Sequence, residues 1–315
     1  MHSRSAWAAL IFAVLAVLGL FALVGRQPSG RPGTPSAERP MVTMFRPTLI
    51  AYDEQGRKVL EIVCRLARLA RDGRTYTIEG LERATLFRDG EPAMVLRADR
   101  GTYNETSRDA SLSGNVKALS ADGFLFETDT ITWIYRKKLV LVPGPLAIKF
   151  GEIRVDTQLA RYSVEEQLLE CPNPLRASTA RDRLQCDRLR GEGKNHRVAL
   201  LGKVRLTGSE GLTMQCPELW YDYQNQRAWV PGQVSVQYRA LRAETRDIEY
   251  LAEESILRCP RPISASLGPD RLRADSLIVD GIRRRAAFHG NVTIAIEPTG
   301  AEARLGGLRP SGGKR

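Results

Sequence analysis

The stretch Leu112-Ser113-Gly114-Asn115-Val116 decides the organisation of the chain, because the sequence returns to it twice at one interval. Leu200-Leu201-Gly202-Lys203-Val204 and Phe288-His289-Gly290-Asn291-Val292 follow it at steps of 88 residues. Self-similarity at a fixed period is the sequence signature of a repeat architecture. We therefore predict a fold assembled from stacked copies of one unit.

The repeat extends well beyond those five residues. Val142-Pro143-Gly144 returns as Val230-Pro231-Gly232, and Cys171-Pro172 returns as Cys259-Pro260, again 88 residues later. Agreement at several separate places makes the period a property of the whole segment and not of one short motif.

A finer period lies inside the long one. A small or β-branched residue, usually followed by an acidic one, recurs at steps of 30, 27 and 31 residues, and the three steps then repeat. A Gly or Pro comes about sixteen residues after each pair, so each unit is predicted to run strand, turn, strand, turn. The pairs are Ala98-Asp99, Thr128-Asp129, Val155-Asp156, Cys186-Asp187, Cys216-Pro217, Ala243-Glu244 and Ala274-Asp275.

The composition is that of a folded protein with a sizeable core. The chain has 315 residues, of which 43% are hydrophobic. Its 47 basic and 36 acidic residues give a net charge of +11, but the excess is scattered and no Lys/Arg run exceeds three residues. Nucleic-acid tails contain longer runs, so nucleic acid is not a predicted partner. The charge favours a solvated basic envelope protein, with affinity for phosphate-bearing partners as the alternative.

The cysteines do not form a recognisable site. No C-x-x-C pair occurs among the five, and the chain has three histidines, so we predict no metal site, no redox site and no cofactor. Cys171 and Cys186 could oppose each other across a hairpin and form a disulfide. The remaining three, Cys64, Cys216 and Cys259, are expected to be small buried residues in strands.

The amino terminus is predicted to be a membrane anchor. Residues 6–24 form an uncharged apolar run long enough to cross a bilayer as a helix. A cleaved signal peptide is the alternative, but its apolar core is normally shorter and a small-x-small site should follow. We assign residues 1–25 to a single transmembrane helix and the Pro/Gly/Ser-rich residues 26–40 to a linker.

From residue 41 the chain is rich in strand signals. Leu60 to Arg71 also fits an amphipathic helix, but Gly56 and Gly73 bound it closely and β-branched residues open it, so we predict a strand. Residues 299–315, with their Gly-Gly pairs, are predicted to be a flexible tail.

Alternation with a period of two predicts strands that are apolar on one face. Without helices to cover that face, the sheet must fold over on itself as a sandwich, a barrel or a rolled solenoid. The inward residues either fill a closed core or line an elongated apolar groove, and alternation is compatible with both. Examples are Phe124, Phe126, Ile131, Trp133, Leu139, Leu141, Leu146, Ile148, Phe150, Val234, Val236 and Tyr238.

Four stretches carry a family resemblance: Thr48–Asp53 followed by Gly56, Leu96–Tyr103, Leu112–Val116 and Asp122–Asp129. With them, residues 48–162 resemble the LptC family, the membrane-anchored periplasmic component of lipopolysaccharide export. The later repeats resemble the related LptA/OstA modules, so the chain resembles an LptC with a carboxy-terminal extension.

The resemblance implies an all-β fold, a rolled antiparallel β-jellyroll of stacked short-strand repeats, with residues 41–165 as the LptC-like jellyroll and 166–298 as LptA/OstA-like repeats continuing it. Its interior would carry the acyl chains of lipid A, and jellyrolls would join edge to edge through unpaired strands. The implied partners are lipopolysaccharide, an inner-membrane ABC transporter complex and an LptA-like periplasmic bridge protein. The implied location is the inner membrane, single-pass, with the bulk of the chain in the periplasm.

The function expected from the resemblance is holding lipid without chemistry, so no catalytic residue is predicted. Burial in an apolar seam stabilises an acyl chain by about 0.8 kcal/mol per methylene. The sequence lacks a G-x-x-x-x-G-K-[ST] loop, so an ATPase elsewhere would supply the work. Candidate lipid-lining residues are Leu96, Leu112, Val116, Phe126, Trp133, Leu141, Ile148, Phe150, Val204, Met214, Tyr221, Val236 and Tyr238.

Two other classes of function are alternatives. A polysaccharide-cleaving enzyme would need positioned carboxylates, but Asp99, Asp129, Asp156, Asp187 and Asp275 recur at one position of each unit, as structural residues do. A structural or adhesive scaffold would need no open groove. Arg136-Lys137-Lys138 is either a solvated turn or a place where phosphate groups bind.

Overall fold

The described part of the chain is one antiparallel β-sheet of 25 strands with a single short 3-10 helix. This computed structural model describes residues 41–52, 55–88, 90–121, 123–208, 211–280, 282–283 and 285–296. The all-β prediction is confirmed over those residues. The predicted anchor, linker and tail lie outside them, and within them no helix has the length and apolar character needed to span a bilayer.

The strands fall into long ones of ten residues or more and short ones of three to five. They are β1 Val42–Phe45, β2 Thr48–Tyr52, β3 Lys58–Leu69, β4 Thr75–Arg88, β5 Glu91–Asn104, β6 Ala110–Ser120, β7 Leu125–Ile134, β8 Leu139–Val142, β9 Leu146–Phe150, β10 Ile153–Thr157, β11 Ala160–Ser163, β12 Leu168–Cys171, β13 Leu175–Ser178, β14 Arg183–Cys186, β15 Arg188–Glu192, β16 Arg197–Thr207, β17 Leu212–Asp222, β18 Arg227–Tyr238, β19 Leu241–Leu251, β20 Ile256–Cys259, β21 Ile263–Leu267, β22 Asp270–Ala274, β23 Ser276–Asp280, β24 Arg285–His289 and β25 Thr293–Ala295. Tyr135–Lys137 form the 3-10 helix.

The sheet divides into two columns at β7. The end of β7, Thr132–Ile134, pairs with β8, whereas its beginning, Leu125–Thr128, pairs with β9. The first column continues through β11, β12 and β15, and the second through β10, β13 and β14. Both columns rejoin on the long strand β16. The same division recurs at β19, which pairs with both β20 and β21.

The two columns face each other across one hydrophobic core. Val140 and Tyr162 from the first column are buried in the same cluster as Ile148 and Val155 from the second. A sheet whose halves enclose a shared interior is consistent with the predicted rolled β-jellyroll.

The 88-residue repeat of the sequence is also a repeat of the structure. β16 occupies the positions of β6 one period later, and β24 with β25 occupies those of β16. The short strands β8 and β9 together correspond to the single long strand β18. One unit is therefore realised either as a long bent strand or as two short ones.

Glycines mark the bends, and the turns predicted at Gly114 and Gly202 are wrong. Gly114 and Gly202 lie inside β6 and β16, where each strand continues through a β-bulge. Their φ angles of +76° and +72° favour glycine, since a Cβ would clash sterically in the left-handed region. A Cβ at Gly114 would lie 2.5 Å from Asp99 Oδ2, and one at Gly202 would lie 2.7 Å from Asp187 Oδ2.

The recurring carboxylates hold these bends. Asn115 Nδ2 donates to Asp99 Oδ2 at 2.8 Å, and the backbone N–H of Asn291 donates to Asp275 Oδ2 at 2.9 Å. The acidic residue of one strand thus packs beneath the bulge of the next, which agrees with the structural role predicted for these aspartates.

Two local predictions have opposite outcomes. The strand predicted for Leu60–Arg71 is confirmed as far as Leu69, because β3 runs from Lys58 to Leu69, and Arg71 lies in the turn that follows. The disulfide considered for Cys171 and Cys186 is not formed, since all five cysteines are buried free thiols. Burial raises the pKa of the Cys171 thiol to about 12 and that of the Cys186 thiol to about 11.

Replacing Gly114 with Ala should destabilise the fold by about 2–4 kcal/mol, because the positive φ and the contact with Asp99 both oppose a Cβ. Gly144→Ala is the matched control, since a methyl group at Gly144 would have no other atom within 4 Å and the residue has no positive φ. It should change stability by less than about 0.5 kcal/mol. Urea unfolding measures both, and equal midpoints would contradict the close packing at the bend.

The cysteines should be inert in the folded protein. The thiolate is the reactive form, and the pKa of about 11 of Cys186, Cys216 and Cys259 leaves roughly one thiol in a thousand deprotonated at pH 8. Burial also raises the pKa of the Cys64 thiol. Iodoacetamide at pH 8 should therefore leave the native chain unmodified and label all five sites in urea. Whole-protein mass spectrometry checks this, and rapid labelling of the native chain would contradict the burial.

Candidate functional site: the interior of the roll and its two lips

The connections between strands lie along three lines. Connections that pass from one column to the other, such as residues 143–145 and 172–174, follow the glycine bends, and we call this line the line of bends. Links within a column lie along two other edges, which we name the first lip and the second lip. The first lip comprises residues 105–108, 135–138, 164–167, 193–196, 223–226 and 252–255, and the second comprises 121, 123–124, 151–152, 179–182, 239–240 and 268–269.

The two lips are not joined by strand pairing anywhere in the described ranges. The interior is therefore bounded by backbone hydrogen bonds along the line of bends but only by side chains between the lips. Separating the lips would break no backbone hydrogen bond between paired strands.

Stacked turns make the first lip regular. In four successive turns the N–H of the first residue donates to the carbonyl of the left-handed residue that ends the turn before. The pairs are Val164 to Lys138 at 2.9 Å, Gly193 to Gln167 at 2.8 Å, Tyr223 to His196 at 3.0 Å and Ala252 to Gln226 at 2.9 Å.

The second lip carries a row of exposed apolar side chains. Tyr238 pairs with Leu241, and Leu241 pairs with Leu267 on the next strand. Of these residues, Leu267 is 55% exposed and Leu241 is 39% exposed. Contiguous exposed apolar side chains mark surfaces where a partner or ligand binds.

The structure places most of the predicted lining residues on the interior face. Six of the thirteen are buried and four are half-buried against the core. The buried ones are Leu96, Val116, Phe126, Trp133, Ile148 and Val204, and the half-buried ones are Leu112, Phe150, Met214 and Val236.

The other three predicted lining residues differ. Leu141 does not face the interior: it lies opposite the exposed Arg161, while its neighbours Val140 and Val142 are buried. Alternation in β8 was assigned in the wrong phase, because four apolar residues in a row give no signal of which face is inward. Tyr221 is half-buried, and Tyr238 is exposed at the second lip.

One interior residue was missed as a candidate. Phe124 is 2% exposed, and its ring stacks on that of Phe150 with centroids 4.0 Å apart. At this level the interior is filled by aromatic side chains. The alternation of Phe124 with Phe126 was the signal that could have found it, but Phe124 precedes β7 and was not assigned to the lining.

Two clefts lie along the line of bends, and their linings are mostly polar. One of about 310 Å³ is lined by Lys117, Asp129 and Arg154 among others, and one of about 660 Å³ by Arg246, Arg261 and Asp275 among others. Such linings do not suit acyl chains. Within the described ranges, no three His, Cys, Asp or Glu side chains are grouped so as to hold a metal ion.

The basic stretch Arg136-Lys137-Lys138 lies in the first lip, at the 3-10 helix between β7 and β8. Arg136 and Lys137 are exposed. Sequence reasoning found this cluster but missed Arg108 of the preceding turn, because an isolated arginine near a loop carries no distinguishing pattern.

Comparison with known proteins identifies a family and also solved structures that are similar to this chain. The profile of the family described as lipopolysaccharide-assembly, LptC-related, matches residues 8–210, which is more than half of the chain. The crystal structure of LptH from Pseudomonas aeruginosa, described as the LptA homologous periplasmic component of the lipopolysaccharide transport device, is similar over 44% of this chain and 81% of its own. That likeness has 15% sequence identity and a TM-score of 0.21.

No curated protein matches the sequence. The family resemblance seen in the first half of the sequence is thus confirmed by the profile match: this chain belongs to the LptC-related family of lipopolysaccharide-assembly proteins.

Proposed function

We propose that this chain moves lipopolysaccharide from the inner to the outer membrane by holding its acyl chains between the two lips. The observation that carries the proposal is the interior itself, which is apolar and closed by strand pairing on one side only. Each methylene moved out of water would contribute about 0.8 kcal/mol, so binding needs no covalent chemistry.

An acyl chain can enter between the lips without breaking backbone hydrogen bonds. Leu112, Met214 and Val236 are half-buried, so apolar surface already reaches the opening. The exposed row on the second lip, Tyr238, Leu241 and Leu267, extends that surface to solvent. An acyl chain could displace side-chain contacts there while every backbone hydrogen bond of the sheet stays in place.

The two ends of the sheet suit edge-to-edge assembly. At the amino-terminal end, Phe45 of β1 is 81% exposed, and at the other end every residue of β24 and β25 is exposed. An unpaired strand edge offers a free ladder of hydrogen bonds to a partner strand. We propose an LptA-like periplasmic bridge protein and an inner-membrane ABC transporter complex as the partners.

The continuous sheet supports a division of labour along the chain. Residues 41–165 would form the LptC-like jellyroll and residues 166–298 an LptA/OstA-like extension of it, since the pairing passes from one to the other through β10–β13 and β12–β15. We place the protein in the inner membrane through residues 1–25, with its bulk in the periplasm, and the transporter supplies the work.

A non-enzymatic role agrees with how the recurring carboxylates are used. Asp99, Asp187 and Asp275 pack against backbone at the bends, which leaves them poorly placed to act on a substrate. The alternative of a structural or adhesive scaffold is favoured by one observation, the stacked rings of Phe124 and Phe150 that fill the interior locally.

Photo-crosslinking in cells distinguishes the lipid-carrying function from the scaffold function. Crosslinkers at Phe126, Ile148 and Val236, all on the interior face, should yield lipopolysaccharide adducts. A crosslinker at Leu141 is the matched control, because that position lies on the outer face of the same sheet, and it should yield none. Absence of adducts at all three interior positions, in cells where a known transporter is labelled, would leave the scaffold as the function.

A further inference from the structure

The first lip has one irregular step, between the turn at 105–108 and the turn at 135–138. Arg108 has a φ of +60°, as the left-handed residues of the other turns do. The N–H of Tyr135, however, donates to Asp109 Oδ1 at 2.8 Å and not to the carbonyl of Arg108. The regular stacking of turns is thus replaced at this step by a side-chain contact.

Arg108 is a buried cation without a carboxylate partner. It is 8% exposed, and Nη1 donates to the Tyr135 hydroxyl at 2.9 Å, with no ion pair to it in the described ranges. A guanidinium carries five N–H donors, and no nitrogen of Arg108 is both fully buried and without a hydrogen-bond partner. The donors that have no protein acceptor therefore reach solvent, where an external anion can accept from them.

Lys138 contacts the same tyrosine. Its Nζ lies 3.5 Å from the centroid of the Tyr135 ring, and the Arg108 guanidinium carbon lies 4.9 Å from it. Burial raises the pKa of the Tyr135 phenol, but the hydrogen bond from Arg108 and the charge of Lys138 outweigh it and hold the pKa below its ordinary value. The two turns carry Arg108, Arg136, Lys137 and Lys138 against Glu105 and Asp109.

The next repeat shows that the fold does not require these cations. One period later His196 stands in place of Arg108, and Gln226, with a φ of +48°, in place of Lys138 at +47°. Tyr223 takes the position of Tyr135 and meets the His196 ring edge-on at 5.4 Å. The same turns thus form with His196 and Gln226 in place of Arg108 and Lys138, so turn geometry does not explain the cluster of arginine and lysine.

We propose that Arg108 and Lys138, with the exposed Arg136 and Lys137 beside them, form a binding site for a phosphate group on the first lip. Guanidinium groups bind phosphate oxygens through paired N–H donors, and ammonium groups add a point charge. The phosphate is supplied either by a phosphorylated glycolipid or as free inorganic phosphate. The lipid source rests on the function proposed above, whereas the anion site itself does not.

Calorimetric titration of the full-length chain in neutral detergent with inorganic phosphate tests the site. Lys138→Gln installs the residue found in the equivalent turn and should fold normally, and Arg108→Gln removes the buried charge. Each should weaken phosphate binding about tenfold or more, as expected for lost hydrogen bonds to a charged group. Lys203→Gln is the matched control, because Lys203 is also left-handed, at +43°, but lies in the bulge of β16. It should bind as the wild type does.

Equal phosphate affinity in wild type and Lys138→Gln, or no saturable binding by the wild type, would overturn the site even if Arg108→Gln fails to fold. Competition then identifies the source of the phosphate. Lipid A in the same detergent should displace phosphate, and lipid A stripped of its phosphates should not. If phosphate binds but lipid A does not displace it, the anion site stands with free phosphate as ligand. If the interior positions gave no crosslinks to lipopolysaccharide, the glycolipid would be excluded as the source of the phosphate. The result of the phosphate titration would still decide whether the anion site exists.

Discussion

The structure depends on one contact, the packing of a carboxylate beneath a left-handed glycine in the neighbouring strand. Asp99 against Gly114 and Asp187 against Gly202 let a strand bend through a bulge without leaving the sheet. Without the bend, a strand of eleven residues would stay in one plane and its apolar face would need a second sheet to cover it. With it, one sheet covers itself, and the inward-facing residues on both sides of the bend share one core.

The sequence revealed the interval at which these bends recur but not their geometry. The 88-residue interval and the acidic pairs came directly from residue spacing, and the all-β fold followed from alternation. Glycine was interpreted as a turn because both a turn and a bulge need positive φ. Only pairing on both sides of Gly114, seen in β6 with β7, distinguishes a bend from a chain reversal. The inward face of β8 was predicted wrongly for a related reason. Leu139 to Val142 are all apolar, so the sequence does not show which of them face inward. Only the burial of Val140 and Val142 in the structure does.

The lips were harder to foresee than the core, because they are defined by what is not paired. Sequence patterns record which residues are apolar, but the opening arises from topology: β8 and β9 both follow β7 and then diverge. Arg108 illustrates the limit. Its environment is made by Tyr135, which is 27 residues away along the chain and one hairpin away in space. The comparison of Arg108 with His196 becomes informative only once the repeat and the turn geometry are both known.

The unbroken pairing from β7 to β17 gives the repeat a consequence for size. One period adds six strand spacings to either column, which at about 4.8 Å per spacing lengthens the roll by roughly 29 Å. The bend, the lips and the interior face are all reproduced within that increment. Duplication of 88 residues is therefore a way to lengthen the roll in fixed steps while its cross-section stays constant. The number of repeats in the chain sets the distance that the roll can span.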